Sequence, residues 1–279
     1  MPEGWEWDET LFQGSAQYYV QGRPPYAPGL ADRIAEALSL DGTGRLLDVG
    51  CGPGVATLAL AHRFAEAIGV DPDAGMLAEA QRQAEIAGIT NVRWVQARAE
   101  ALPLDLGTFR AATFAQSFHW MDQPRVAALV YGMLEPDGAL VHISDAKTPR
   151  QDKLALSFPT PPYDEIQQLV ERYLGSVRRA GQGFLRNGTP GNEASIFAGA
   201  GFLGPERIIV PATESFIRDI DDIVAWIYSR SGSAPHLYGD RREQFETDLR
   251  QLLHAAAPDG RFADQPSDTE VFIWRKPRA

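Results

Sequence analysis

Short apolar runs between Arg45 and Ile143 alternate with segments whose apolar residues recur at helical spacing. Runs at 45–49, 67–71, 91–96 and 109–115, and one reaching Ile143, read as strands, with glycine, proline or an acid marking the junctions. Helices are predicted over Gly29–Leu40, with Leu30, Ile34, Ala37 and Leu38 on one side, and from about Val55, with Val55, Leu58 and Ala59 as the apolar face. A third, presenting Met76, Leu77, Ala80, Ala84 and Ala87, stops at Gly88, and a fourth, capped by Asp122, presents Val126, Leu129, Val130 and Met133. Strand and helix alternating in this way predict an α/β protein with a parallel, doubly wound sheet.

After Ser144 the pattern loosens. Prolines 159, 161 and 162, a helix around Tyr163–Leu174 and a loop with Gly181, Gly183, Gly188 and Gly191 read as an insertion. A helix at Asn192–Ala200, closed by Gly201, leads to a strand at Glu206–Val210. Two helices follow, with apolar faces Ile220, Ile223, Val224, Ile227 and then Phe245, Leu249, Leu252, Leu253, Ala256. Thr269–Trp274 is expected to close the sheet. The predicted division is an N-terminal arm at 1–27, a core at 28–149, a helical insertion at 150–192, and the rest of the core at 193–279 with a helical cap at about 215–265.

Composition narrows the function classes. A chain of 279 residues that is 44% hydrophobic can bury one large core, with or without a cap. A net charge of −11 disfavours nucleic acid or an anionic membrane as partner. One cysteine excludes an internal disulfide and suits a reducing compartment. The acidic, aromatic start, with Trp5 and Trp7, is not a signal peptide, and no apolar run is long enough to span a bilayer, so a cytoplasmic protein is expected, as monomer or homodimer. The histidines at 62, 119, 142, 236 and 254 lack zinc spacing, no carboxylate cluster suggests Mg²⁺, and no metal is expected. Neither G-x-S-x-G nor a P-loop lysine is present.

The stretch Arg45-Leu-Leu-Asp48-Val-Gly50-Cys51-Gly52-Pro-Gly54 passes from strand through a glycine loop to a helix. At the carboxyl edge of an open α/β sheet this is a ligand site, with main chain exposed and a helix N-terminus aimed at the ligand. The dinucleotide fingerprint G-x-G-x-x-G fails because position 55 is Val. Asp48 would also oppose a pyrophosphate, whereas it would suit a ligand carrying an ammonium group. Asp71 ends the second strand 21 residues after Gly50; it either accepts both ribose hydroxyls or starts the helix that follows Pro72. Met76 either touches a base or is core.

The pattern D-x-G-x-G-x-G resembles the first motif of the class I S-adenosylmethionine (SAM) methyltransferases. That resemblance implies a Rossmann-like sheet of seven strands, parallel except for an antiparallel last strand, with SAM lying on Asp48, Gly50, Cys51, Gly52, Gly54, Asp71, Pro72 and Met76. Ala97-Arg-Ala99-Glu100-Ala-Leu-Pro103 resembles the family's adenine-side segment, G-D-A-E-x-L-P, and implies contacts from Ala99 and Glu100. Arg98 replaces the acid there and cannot accept from an adenine amino group. Tyr19-Val-Gln-Gly-Arg23-Pro-Pro-Tyr26 is similar to a segment that folds over the cofactor; Tyr19 and Arg23 then approach its methionine end, Arg23 meeting the carboxylate. The alternative is a surface arm.

Gln116-Ser117-Phe118-His119-Trp120 resembles the fourth motif of enzymes that methylate small organic acids and natural products, and Leu134-Glu-Pro-Asp-Gly138 resembles the turn into the fifth strand. Gln116 and Ser117 are expected on the cofactor, with Tyr18, Phe118, His119, Trp120 and His236 on the substrate. His119 either takes the nucleophile's proton, orients the cofactor or packs. The 229–236 segment, with His236, is either an interhelical loop or a substrate lid. The function expected is SAM-dependent methylation of a small, partly apolar metabolite, yielding S-adenosylhomocysteine without a metal. A SAM-fold enzyme catalysing cyclisation, a nicotinamide-dependent oxidoreductase and a noncatalytic SAM-binding protein are the rivals.

Overall fold

A computed structural model describes residues 8, 10–147, 155–177, 179–180, 183–184 and 192–278. Trp5, Trp7, Gly181, Gly188 and Gly191 lie outside the described residues. The central sheet is built from β1 (Arg45–Val49), β2 (Glu66–Asp71), β3 (Val92–Gln96), β4 (Phe109–Ala115), β5 (Leu134–Asp145), β6 (Leu203–Val210) and β7 (Thr269–Arg275). Their order is β3-β2-β1-β4-β5-β7-β6. β1 to β5 pair in parallel, while β7 runs antiparallel to both β5 and β6. This is the expected doubly wound sheet with one reversed strand.

Both faces of the sheet are covered, which is why its inner strands read as continuous apolar runs. Successive side chains point to opposite faces: Leu47 and Val49 pack on one side with α5 (Gln123–Met133) and α7 (Glu193–Gly199), Leu46 on the other with α2 (Leu30–Leu38) and α3 (Val55–Ala61). α4 (Ala74–Ala87) buries Met76, Leu77, Ala80 and Ala84, and Gly88 ends it in the left-handed conformation at φ 65°.

Three helix faces differ from expectation. α3 buries Ala56, Thr57, Leu60 and Ala61, leaving Leu58 half-buried and Ala59 exposed. Its phase is set by the glycine turn that feeds it, which directs Val55 toward a cavity rather than the core. Ala87 and Ala256 are exposed because each falls in the last turn of its helix, past the packed surface.

A separate apolar cluster forms where α6 (Tyr163–Leu174), α8 (Ile220–Tyr228) and α9 (Arg242–Ala256) pack together. The sequence pattern missed the antiparallel ribbon beside it, Phe216–Asp219 against Arg261–Asp264, and a two-residue pairing of Arg179–Ala180 with Gly183–Phe184 inside the expected loop. Each strand is too short to show alternation. The arm's helix, α1 (Ala16–Gly22), crosses α8 so closely that a Cβ on Gly22 would lie 2.3 Å from the Ala225 carbonyl carbon. Ser15 Oγ donates to the Tyr228 carbonyl at 2.7 Å, fastening the same crossing.

Arg218, 2% exposed, binds these pieces together. Its guanidinium donates to the carbonyls of Gly22 (2.7 Å) and Asp222 (2.9 Å) and pairs with Asp264 at 3.4 Å. Asp264 also accepts from the Tyr163 hydroxyl. No helix among the described residues is long and apolar enough to cross a membrane.

Removing a buried cation strands its partner acid and carbonyls, so Arg218→Ala is expected to lower stability by about 3 kcal/mol. Urea unfolding followed by circular dichroism measures it; a loss below about 1 kcal/mol would show that the arm, ribbon and α8 hold together without it.

Candidate active site

A cavity of about 570 Å³ opens at the carboxyl ends of β1, β2, β4 and β5, the edge where ligands bind in sheets of this winding. Its floor is the loop Gly50–Pro53. The amides of Gly50 and Cys51 both donate to the Val70 carbonyl, at 2.8 and 3.1 Å, which folds the loop back over the end of β2. Gly52, at φ 53°, would point a Cβ into open space, with no atom within 4 Å. That makes it the bare main-chain surface of the site. Gly50 and Gly54 serve the protein instead: a Cβ would meet Ser117 and Met121 at 2.7 and 2.8 Å from Gly50, and Trp94 at 2.6 Å from Gly54.

Asp71 closes one side. Its Oδ2 accepts from Gly52 N at 2.8 Å and its Oδ1 from Asp73 N at 2.9 Å. A carboxylate offers roughly four acceptor positions, so each oxygen keeps one for a ligand. Burial raises the Asp71 carboxyl to about 6, the two main-chain donors opposing the rise. The residue that caps α4 is Asp73, whose Oδ1 accepts from Met76 N, so Asp71 is not needed to start that helix.

Asp48 does not face the ligand space. It is fully buried beneath the loop, with one oxygen taking the Thr57 hydroxyl at 2.5 Å and the other the Thr113 hydroxyl at 2.7 Å. Burial pushes its pKa up while those hydroxyls pull it down. The expectation of a carboxylate facing an ammonium group is corrected: the acid ties β1 to α3 and β4, and so holds the loop from below. Gly54 likewise lies outside the cavity lining.

On the opposite side the chain leaves β4 through Gln116, a non-glycine residue at φ 55° whose amide donates to the Ile143 carbonyl at 3.0 Å. Ser117 Oγ donates to the Val49 carbonyl at 2.6 Å. A 3₁₀ turn follows at Phe118–Trp120, and three residues per turn send consecutive side chains in three directions. His119 and Trp120 therefore line the cavity, while Phe118 is buried against Phe114 and Phe197, with ring centroids 4.8 and 4.6 Å away. Phe118 is core, not a substrate contact. Burial is the main cause that lowers the His119 pKa to about 4, with smaller contributions from His142 and Arg23.

The arm supplies Phe12, Tyr19, Arg23 and Tyr26 to the cavity. Arg23 lies over the Tyr19 ring at 5.1 Å and donates through one terminal nitrogen to the Ser229 carbonyl at 3.1 Å, while its buried Nε has no partner. Tyr18 turns the other way, packing on Tyr228 and accepting from Arg242 at 2.5 Å, so it belongs to the cap's core. His236 is also outside the lining; its Nδ1 meets the Gln13 carbonyl at 3.1 Å. The cap reaches the cavity through Arg230–Ser233 instead.

Pro72, Met76, Ala99, Glu100, Gln116 and Ser117 all reach the lining, with Met76 also buried in α4. Glu100 accepts from Asp122 N at 2.8 Å and pairs with Arg98 at 3.5 Å, so one of its oxygens is committed to the protein. Sequence reasoning missed Tyr26, Asp145, Glu171 and the 266–267 segment. Asp145 was detectable, since it ends β5 and the strand-end rule that singled out Gln116–Trp120 on β4 applies equally there.

Comparison with known proteins places this geometry. A model of the methyltransferase domain matches residues 46–138, about a third of the chain. An uncharacterised methyltransferase of Mycobacterium tuberculosis, Rv3342, is 34% identical over 134 residues, which is 48% of this chain and 51% of that protein. The chain thus spans about half the length of the curated relatives it matches. Among solved structures, YcgJ of Bacillus subtilis superposes with a TM-score of 0.51 over 89% of this chain and 98% of its own, at 18% identity. The [4+2]-cyclase SpnF gives 0.52 over 90% and 81% at 21% identity. Both show the fold.

Because the Thr113 hydroxyl satisfies one oxygen of the buried Asp48, Thr113→Val is expected to destabilise the protein by about 2 kcal/mol. Chemical unfolding measures this. An unchanged midpoint would mean that the buried acid is satisfied by other means.

Proposed function

We propose that this chain, whose residues 46–138 match a model of the methyltransferase domain, is a class I S-adenosylmethionine-dependent methyltransferase that transfers a methyl group from SAM to a small organic metabolite. The observation that carries the reading is the pairing of a bare Gly52 surface with Asp71, each of whose oxygens keeps an acceptor position open. A ribose presents two neighbouring hydroxyl donors, and two carboxylate oxygens match them. What disfavours a nicotinamide dinucleotide is the glycine spacing, since Val55 stands where that fingerprint breaks.

Other residues fit the remaining parts of SAM. The unpartnered Arg23 Nε suits the methionine carboxylate. Pro72, Met76, Ala99 and Glu100 surround the space beyond Asp71 and suit the adenine. When bound, SAM supplies an electrophilic methyl on a positively charged sulfur. The chain's work is then to align the acceptor with that methyl and to keep water out, a task that suits Phe12, Trp120 and the Arg230–Ser233 segment, which line the cavity. His119, held neutral at pH 7, offers the acceptor a hydrogen bond and no charge.

Titration calorimetry should detect SAM and S-adenosylhomocysteine with micromolar dissociation constants, and Asp71→Ala should weaken both about tenfold or more. Absence of binding would remove the reading. The same measurement has a predicted pH dependence. The ionised Asp71 is the hydroxyl acceptor and its carboxyl titrates at about 6, so affinity should hold above that pH and fall below it, approaching tenfold per unit. Asp71→Asn should flatten the profile between pH 5 and 7.

A further inference from the structure

Five carboxylates line the cavity among the described residues: Asp71, Asp73, Glu100, Asp145 and Glu171. Four are committed. Asp71 takes two main-chain amides, Asp73 caps α4, Glu100 takes Asp122 N, and Glu171 takes Gln167 Nε2 at 2.6 Å. Asp145 has neither hydrogen bond nor ion pair through its side chain among the described residues. It also occupies a defined place: it is the last residue of β5, exposed at the sheet's carboxyl edge, where it lines the cavity.

Resting on the methyltransferase reading, we propose that Asp145 is the acceptor-side carboxylate, facing the transferred methyl and receiving the acceptor's proton. The acceptor is then a hydroxyl or amine, which must shed a proton, and not a carboxylate, which has none to lose at neutral pH and would be repelled. As the acceptor oxygen or nitrogen bonds to the methyl carbon, the carbon–sulfur bond breaks and its electron pair stays on sulfur. The acceptor's proton passes to an Asp145 oxygen, and protonated Asp145 later returns it to water. The products are the methylated acceptor and S-adenosylhomocysteine, and the charges balance.

Loss of water contact makes an imidazole a weaker base and a carboxylate a stronger one. Asp145, though exposed at the end of β5, is shifted in that direction. His119 is pushed down to about 4, whereas Asp145 is raised by burial, partly offset by the Arg23 guanidinium. Of the two candidate bases on this side, the carboxylate is the one whose environment favours taking a proton.

Sinefungin, which carries a protonated amine where SAM carries its methyl, reads the charge at that position, and S-adenosylhomocysteine is its neutral control. Calorimetry on the full chain and on Asp145→Asn, with thermal melting to verify the fold, is the test. The expected result is about tenfold weaker sinefungin binding in the variant with S-adenosylhomocysteine unchanged, as for loss of a charged hydrogen bond. Asp145→Ala should do the same. Equal weakening of both ligands, or no change in either, would overturn the assignment of Asp145 while leaving the methyltransferase reading intact. Failure of the unaltered protein to bind S-adenosylhomocysteine would overturn both.

Discussion

The site depends on one buried carboxylate accepting from the main chain. Asp71 holds Gly52 N and Asp73 N, and through them fixes the glycine loop on one side and the entry to α4 on the other. A buried acid with no donors would simply stay protonated; two amides bring its titration back to about 6, within reach of neutral pH. The group is therefore ionised at neutral pH yet close to its titration. Hydrogen bonds to it are strengthened because water competes little at that depth.

Beneath the loop, Asp48 performs the complementary task. With Thr57 and Thr113 it ties β1 to α3 and β4, so the loop is held from below by one acid and from the side by another. The division explains why a motif with two acids flanking glycines needs both. One shapes the turn, and the other meets what lies on it. Above the loop, the arm and the cap act as one covering, because Gly22 lets α1 lie on α8 and Arg218 fastens that crossing to the ribbon. Phe12, Tyr19 and Arg23 thus enter the cavity from the same assembly as Arg230–Ser233.

The sheet was legible because its inner strands are buried on both faces and its turns carry glycine and proline; the reversed β7 followed from the resemblance. The site was legible where main chain or strand ends define it: Gly52, Asp71, Ser117 and His119 reach the cavity as placed. It failed where a side chain's direction decides the matter. Phe118 and His119 are neighbours in an aromatic run, yet one is core and the other lines the cavity, because a 3₁₀ turn separates them by a third of a revolution. Tyr18 and Tyr19 part in the same way on α1, and His236 is held off by Gln13. Sequence spacing does not carry the rotation of a single short turn. The Phe216–Asp219 ribbon was missed for a related reason, since four residues give too few positions to establish a period.

Burial then sorts the titratable groups of the cavity by charge type, and this gives the two halves of the site different chemistry. Asp71 and Asp145 are both raised, His119 is lowered, and Tyr26 is raised well above the ordinary phenol range. At neutral pH the histidine and the tyrosine are consequently neutral, and the fixed charges left are the acids and the arginines. Any ligand entering such a cavity meets Asp71 at the end of β2 and Asp145 at the end of β5, with Arg23 as a positive charge beside them. The low dielectric that weakens His119 as a base strengthens these charge contacts. A single physical cause, loss of water contact, therefore moves the acids and the histidine of one cavity in opposite directions.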